Sequence, residues 1–172
     1  MNDLTRYWDA LTFAAEKHAD QKRKSGNVPY IIHPIRITAI LRFHGFSEKE
    51  HDDLMIAALF HDLLEDTDTK IADIEKIFGE KISLIVQELS KPEQANKKEW
   101  LESFDRYSTE AKIIKMADRI DNLMDIPSSM WSEEKKKSYA EEGKIILDIC
   151  GKVHSGLATS LQNVITNILN SS

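Results

Sequence analysis

The sequence predicts an all-α domain, a helical bundle of roughly eight or nine helices. Three observations predict it. Apolar residues recur at spacings of three and four almost throughout, which is the period of a helix with one buried face. Nowhere does an alternating strand pattern run. The 172 residues contain no repeat, low-complexity segment or internal linker. They therefore read as one domain, residues 1–172, long enough to build a core without disulfides.

Leu4, Trp8, Leu11, Ala14 and Ala15 form the apolar stripe of a first helix ending near His18. Asp20 to Asn27 is polar and basic, contains Gly26, and reads as a loop. Pro29 and Pro34 bracket Tyr30-Ile31-Ile32-His33, and Pro34 suits the first turn of a helix. Ile35, Thr38, Ala39, Ile40 and Phe43 make its expected core face, and Gly45 stops it. Ser47 with Glu50 predicts a capping box for the next helix, buried from Leu54 to Leu64. Thr69 opens a short helix that ends at Phe78-Gly79. Ile82, Ile85, Val86 and Leu89 mark another, stopped by Pro92.

Glu93 to Ser108 reads as a helix plus a loop carrying Trp100 and Phe104. Thr109 to Met124 is helical, with Ile113, Ile114, Met116 and Ala117 inward, and Pro127-Ser128-Ser129 breaks it. Ser132 caps a charged helix that reaches Ile149, and Val153 to Leu169 forms the last.

Composition narrows the function. Lys and Arg number 23 against 29 Asp and Glu, a formal charge of −6. That balance argues against coating a nucleic-acid backbone or adhering to an anionic membrane. Cys150 is the single cysteine, so an intrachain disulfide and a Cys-rich zinc site are both excluded. The first ten residues hold Asp3, Arg6 and Asp9 and no signal-peptide apolar stretch, so the cytoplasm is the simplest location.

The chemistry concentrates in Leu59-Phe60-His61-Asp62-Leu63-Leu64-Glu65-Asp66-Thr67. This segment follows a nearly all-apolar run, where charge is costly unless paired or metal-bound. On one continuous helix, His61 and Glu65 are four apart, as are Asp62 and Asp66, so an imidazole and three carboxylates would share a stripe. The neighbouring His51-Asp52-Asp53 lies in a polar first turn, where acids suit the helix dipole, and reads as structural.

Asp118 and Asn122 share a second helix face, and His33 sits between two isoleucines and Pro34. Together His33, His61, Asp62 and Asp118 make a set of imidazoles and carboxylates suited to Mn²⁺, Fe²⁺, Zn²⁺ or a similar ion. Lys22-Arg23-Lys24-Ser25-Gly26 is a basic loop in an acidic chain. Such a loop holds phosphate oxygens, although a charge run is more often only solvated surface.

These segments, in this order, resemble the HD-domain metal-dependent phosphohydrolases. Within them the likeness is to the hydrolase domain of the RelA/SpoT alarmone enzymes, and by size to the stand-alone small alarmone hydrolases of the Mesh1-like group. Three motifs carry it: Arg23 to Pro34, the HD-x-x-ED run within Leu59 to Thr67, and the K-x-A-D-R-x-x-N run from Lys115 to Asn122. The resemblance implies metal ligation by His33, His61, Asp62 and Asp118, with Mn²⁺ the usual ion. It implies that Glu65 and Asp66 handle the attacking water and its proton. Arg23 and Lys24 would hold phosphates, and Asn122 would help bind the nucleotide. The implied reaction removes pyrophosphate from the 3′ position of guanosine tetra- or pentaphosphate, giving GDP or GTP.

The chain departs from that pattern at Ser90-Lys91-Pro92-Glu93, where a Thr-Asp pair is common, and at Gly26-Asn27-Val28-Pro29, one residue longer than usual. Two other readings stand beside the first. One is an HD phosphohydrolase acting on a different nucleotide, such as a nucleotide phosphatase. The other is a non-catalytic helical module, which the complete set of ligands and carboxylates argues against.

Overall fold

A computed structural model describes residues 3–24, 26–126 and 131–170. Ser25 of the basic loop and the break expected at Pro127-Ser128-Ser129 lie outside them. Among the described residues the fold is all-α, and no strand is present beyond one isolated bridge, Lys22 with Pro29. The helices are α1 (Asp3–Lys17), α2 (Ile32–Phe43), α3 (Asp52–Phe60), α4 (Leu63–Asp66), α5 (Ile71–Phe78), α6 (Glu80–Leu89), α7 (Lys97–Ser103), α8 (Thr109–Asp125), α9 (Glu133–Cys150) and α10 (Ser155–Asn170). Short 3₁₀ turns follow α7 and α9. No helix among the described residues is long and apolar enough to cross a membrane.

The centre is α3. Every residue from Leu54 to Phe60 is buried, as expected of a helix that is apolar all round. Helices α1, α2, α6 and α8 pack around it. Phe60 meets Phe13 and Phe78 edge-on, with ring centroids at 5.6 and 4.8 Å. Because α3 is enclosed, its C-terminal end and whatever follows it are delivered into the interior.

Two helices are rotated from the stripes expected of them. In α1 the buried residues are Tyr7, Ala10 and Ala14, while Leu4 and Trp8 are exposed. Polar anchors decide this rotation. The Tyr7 hydroxyl donates to Thr38 Oγ1 at 3.1 Å, and Arg6 pairs with Asp52 and Asp53 and donates to the Phe78 carbonyl. In α2 the buried face is His33, Pro34, Ile37, Thr38 and Leu41, and Phe43 is 85 % exposed. Turning His33 inward moves Ala39 and Phe43 outward.

The capping box at Ser47 and Glu50 does not form. Residues 48–50 make a turn, with the His51 amide on the Ser47 carbonyl at 2.8 Å, and α3 begins at Asp52. The Arg6 pairs with Asp52 and Asp53 hold that start instead. The helix expected through Leu64 also breaks, after Phe60. Asp62 adopts φ −106° and ψ −1°, and α4 restarts at Leu63, which sends the side chains of the HD segment in different directions.

Elsewhere local chemistry decides the boundaries. Gly79, at φ +98°, ends α5 and begins α6 in a conformation that L side chains rarely adopt. The side chains of Asn96, Ser108 and Ser132 cap α7, α8 and α9.

Candidate active site

Three segments meet beside the end of α3. His61 caps it, His33 comes from the first turn of α2, and Asp118 from the middle of α8. Each offers a ligand atom, and these atoms lie within 4.8 Å of one another. His61 Nε2 and His33 Nε2 are 3.2 Å apart, and His33 Nε2 is 3.3 Å from Asp118 Oδ1. Asp62 Oδ2 joins them, 2.8 Å from His61 Nε2 and 3.7 Å from His33 Nε2.

The far sides of both rings are anchored. His61 Nδ1 lies 2.9 Å from the Ala58 carbonyl, which only an N–H can satisfy, leaving Nε2 to face the cluster. His33 Nδ1 lies 2.6 Å from Asp121 Oδ2, the carboxylate–imidazole arrangement that orients metal-ligating histidines. Two imidazole nitrogens and two carboxylates thus aim at one buried point. Such a donor set needs a cation between its members.

The titration pattern agrees with that demand. Burial alone would lower the His33 pKa, but its hydrogen bonds to Asp118 and Asp121 outweigh this and raise it to about 9. In the absence of a metal, a proton plays the cation's part. Burial pushes Asp62 up, but His61 and His33 overcome this and hold it below the usual carboxylate range. Asp118 is likewise held well down, because Lys115 and the histidines outweigh its burial.

Glu65 and Asp66 behave the other way. Burial raises both, and the Asp62 charge adds to the rise. Carboxylates pushed in opposite directions within one site suit different tasks, the lowered ones facing a cation and the raised ones moving protons. Glu65 and Asp66, consecutive residues of α4, point to different places. Glu65 Oε1 accepts from the Lys91 amide at 2.8 Å, while Asp66 lines an adjoining cleft. The expected single stripe is therefore replaced by two directions, one toward the α6–α7 loop and one toward the cleft.

That cleft, of about 290 Å³, is lined by Lys22, Arg23, Lys24, Tyr30, Asn122, Trp131 and Tyr139 among others. Its basic side comes from the loop after α1, which folds back on itself through Arg23 N to the Val28 carbonyl at 2.9 Å. Arg23 is held rather than free. It donates to Asn122 Oδ1 at 3.0 Å and lies 3.1 Å from Asp125 Oδ2. Asn122 in turn donates to Asp118 Oδ1 at 2.5 Å, so basic loop, cleft wall and ligand form one chain of contacts.

Lys115, Arg119 and Asp121 were in view in the third motif, but their parts were not. Lys115 lies over the Trp100 ring at 4.5 Å and donates to Asp118 Oδ2 at 2.9 Å. Arg119 turns away from Asp118 and stacks on Tyr139 at 3.9 Å, fixing the cleft wall. Of the aromatics, Trp100 and Phe104 are core, whereas Trp131 and Tyr139 face the cleft. Asp121 and Asn122 lie three and four residues after Asp118, and Asp125 lies four and three after them. A polar stripe on a helix that also carries buried apolar residues was the available signal for Asp121.

A first expected outcome follows from the donor set. A divalent transition ion at about 100 times its Kd should stabilise the protein by about 2.7 kcal/mol, and a chelator should reverse the gain. Calorimetric melting with and without metal checks this, and an unchanged melting temperature would contradict it.

Comparison with known proteins supports the same architecture. The HD domain family matches residues 10–148. The guanosine-3′,5′-bis(diphosphate) 3′-pyrophosphohydrolase MESH1 of Drosophila melanogaster is 31 % identical over 167 residues, covering 92 % of each chain. The Homo sapiens protein of the same name is 36 % identical over 150 residues, covering 81 % of this chain and 82 % of that one. Among solved structures, a metazoan orthologue of SpoT that hydrolyses ppGpp superposes with a TM-score of 0.86 at 30 % identity, covering 94 % of both chains.

Proposed function

The chain belongs to the HD domain family, and on that premise we propose that it removes the 3′-pyrophosphate of ppGpp and pppGpp, releasing GDP or GTP. The observation that carries this reading is the position of the donor set. Two anchored imidazoles and two ionised carboxylates stand beside a cleft with a basic loop on one side and aromatic walls on the other. The relatives of matching length act on ppGpp by name.

The geometry supports the following residue roles. His33, His61, Asp62 and Asp118 hold the metal, with Mn²⁺ the ion we assign. When bound, a divalent ion supplies Lewis-acid activation of water and of a phosphoryl oxygen. Glu65, kept near its task by the Lys91 amide, takes the proton of the attacking water. Asp66 faces the cleft and supports that proton handling. Lys24 and Lys22 offset the charge of the phosphates. Arg23 and Asn122 present the wall against which the nucleotide lies. A highly anionic substrate thus reaches an acidic protein through one locally basic entrance.

We assign the protein to the cytoplasm as a single hydrolase domain working on a small nucleotide, with neither nucleic acid nor membrane as partner. Burial pushes the Cys150 thiol up to about 12, so it takes no part in the chemistry.

The departure at Ser90-Lys91-Pro92-Glu93 bears on substrate choice, because Lys91 both holds Glu65 and ties its own loop through Nζ to the Pro92 and Ala95 carbonyls. A panel of ppGpp, pppGpp, GTP and dNTPs with Mn²⁺ tests the reading. The expected result is a kcat/KM for ppGpp well above the rest, with pyrophosphate released intact. Preferential release of phosphate from another nucleotide would move the function to a nucleotide phosphatase on the same metal site.

A further inference from the structure

Tyr30 belongs neither to the proposed metal ligands nor to the proposed acid/base pair, yet it touches Asp62 and His33. Its hydroxyl donates to Asp62 Oδ2 at 2.5 Å, the oxygen that also faces His61 Nε2. The Asp66 amide donates to the Asp62 carbonyl at 2.9 Å. The Tyr30 ring lines the cleft.

The ring is fixed from three directions. His18 lies against it with centroids at 4.8 Å, His33 meets it edge-on at 5.8 Å, and the Arg23 guanidinium lies 5.8 Å away. His18 is almost fully buried and paired through Nδ1 with Gln21 Oε1 at 2.7 Å. Gln21 Nε2 donates to the Asp66 carbonyl at 2.5 Å, and the Gln21 carbonyl accepts from the Tyr30 amide at 2.9 Å. These contacts close a loop through His18, Gln21, Tyr30, Asp62 and Asp66. A closed loop of this kind removes freedom from each member, which is what a precisely aimed carboxylate requires.

We propose that Tyr30 is a positioning residue for the reaction, its hydroxyl fixing Asp62 for metal ligation. The proposal rests on the reading of Asp62 as a ligand and adds a residue to it.

Tyr30→Phe tests this cleanly, because it removes one oxygen and keeps the ring contacts with His18, His33 and Arg23. Mn²⁺ affinity measured by titration calorimetry is expected to fall about 10-fold, the lower range for losing an outer partner of a metal ligand. With Mn²⁺ saturating, kcat for ppGpp is expected to fall about 10-fold or more while KM stays near the parent value. The metal-free melting temperature should be unchanged, which a merely structural residue would not allow.

A variant that binds Mn²⁺ and turns over like the parent would overturn the proposal. So would a loss confined to KM, which would make Tyr30 a substrate contact only. A parent protein that binds no Mn²⁺ would overturn the metal reading itself, and this proposal with it. Parent binding with an unaffected variant separates the two failures.

Discussion

Asp62→Ala is expected to abolish detectable turnover and to weaken divalent-metal binding by more than about 100-fold, beyond the 10–100-fold typical of outer partners. The cause is specific. Asp62 Oδ2 lies 2.8 Å from His61 Nε2 and is held by Tyr30. In the proposed site it is one of two carboxylates that would balance a cation between His33 and His61. Removing it leaves two imidazole lone pairs and Asp118 with insufficient negative charge for a tightly bound ion. Calorimetric titration with Mn²⁺, alongside a product assay, checks both halves. A variant that keeps its metal would show that Asp62 is not a ligand, and one that keeps its turnover would show that the ion is not required.

Glu65→Gln is expected to behave differently. Metal affinity should stay within a few-fold of the parent, whereas kcat should fall by about 10²–10⁴, the range for loss of a positioned general base. The amide keeps the size of the carboxylate and an oxygen able to accept from the Lys91 N–H, so the local structure survives. What disappears is the ability to take a proton. Burial already raises the Glu65 pKa, with only part of the rise offset by the Lys91 amide. A raised carboxylate is ionised above its pKa and loses base function as pH falls through it. The acid limb of the parent pH–rate profile should therefore lie above the ordinary glutamate range and vanish in the variant. Full activity in Glu65→Gln would remove Glu65 from the proton path.

The contrast between these two variants separates holding the metal from using it. Asp62 and Glu65 lie three residues apart yet serve different directions, because the helix is interrupted at Asp62 and restarts at Leu63. Had α3 continued through Glu65, all four groups of the HD segment would have crowded one stripe. The break keeps His61 and Asp62 on the ligand cluster, Glu65 on the α6–α7 loop and Asp66 on the cleft.

Much of this was legible before any coordinates. The all-α class, the ends of α1 and α5, the buried residues of α6 and the cap of α9 follow from periodicity and capping chemistry alone. The gathering of His33, His61 and Asp118 was also expected, and the three do meet. What local pattern could not supply was rotation. In α1 and α2, two stripes of helical spacing compete, and distant partners choose between them. Tyr7 reaches Thr38, Arg6 reaches Asp52, and His33 reaches Asp121. The same limit hid the parts played by Asp121 and Tyr30. Asp121 and Tyr30 act on His33 and Asp62, carried by other segments, and spacing does not record which distant group a side chain meets, whereas Lys115 and Asp118 stand three apart on α8.

The most direct test of the account is to strip the purified protein with a chelator and titrate Mn²⁺ back while following ppGpp by anion-exchange chromatography. The account predicts no turnover in the stripped protein, and GDP with intact pyrophosphate appearing in proportion to bound metal. Turnover that survives stripping, or free phosphate in place of pyrophosphate, would contradict it.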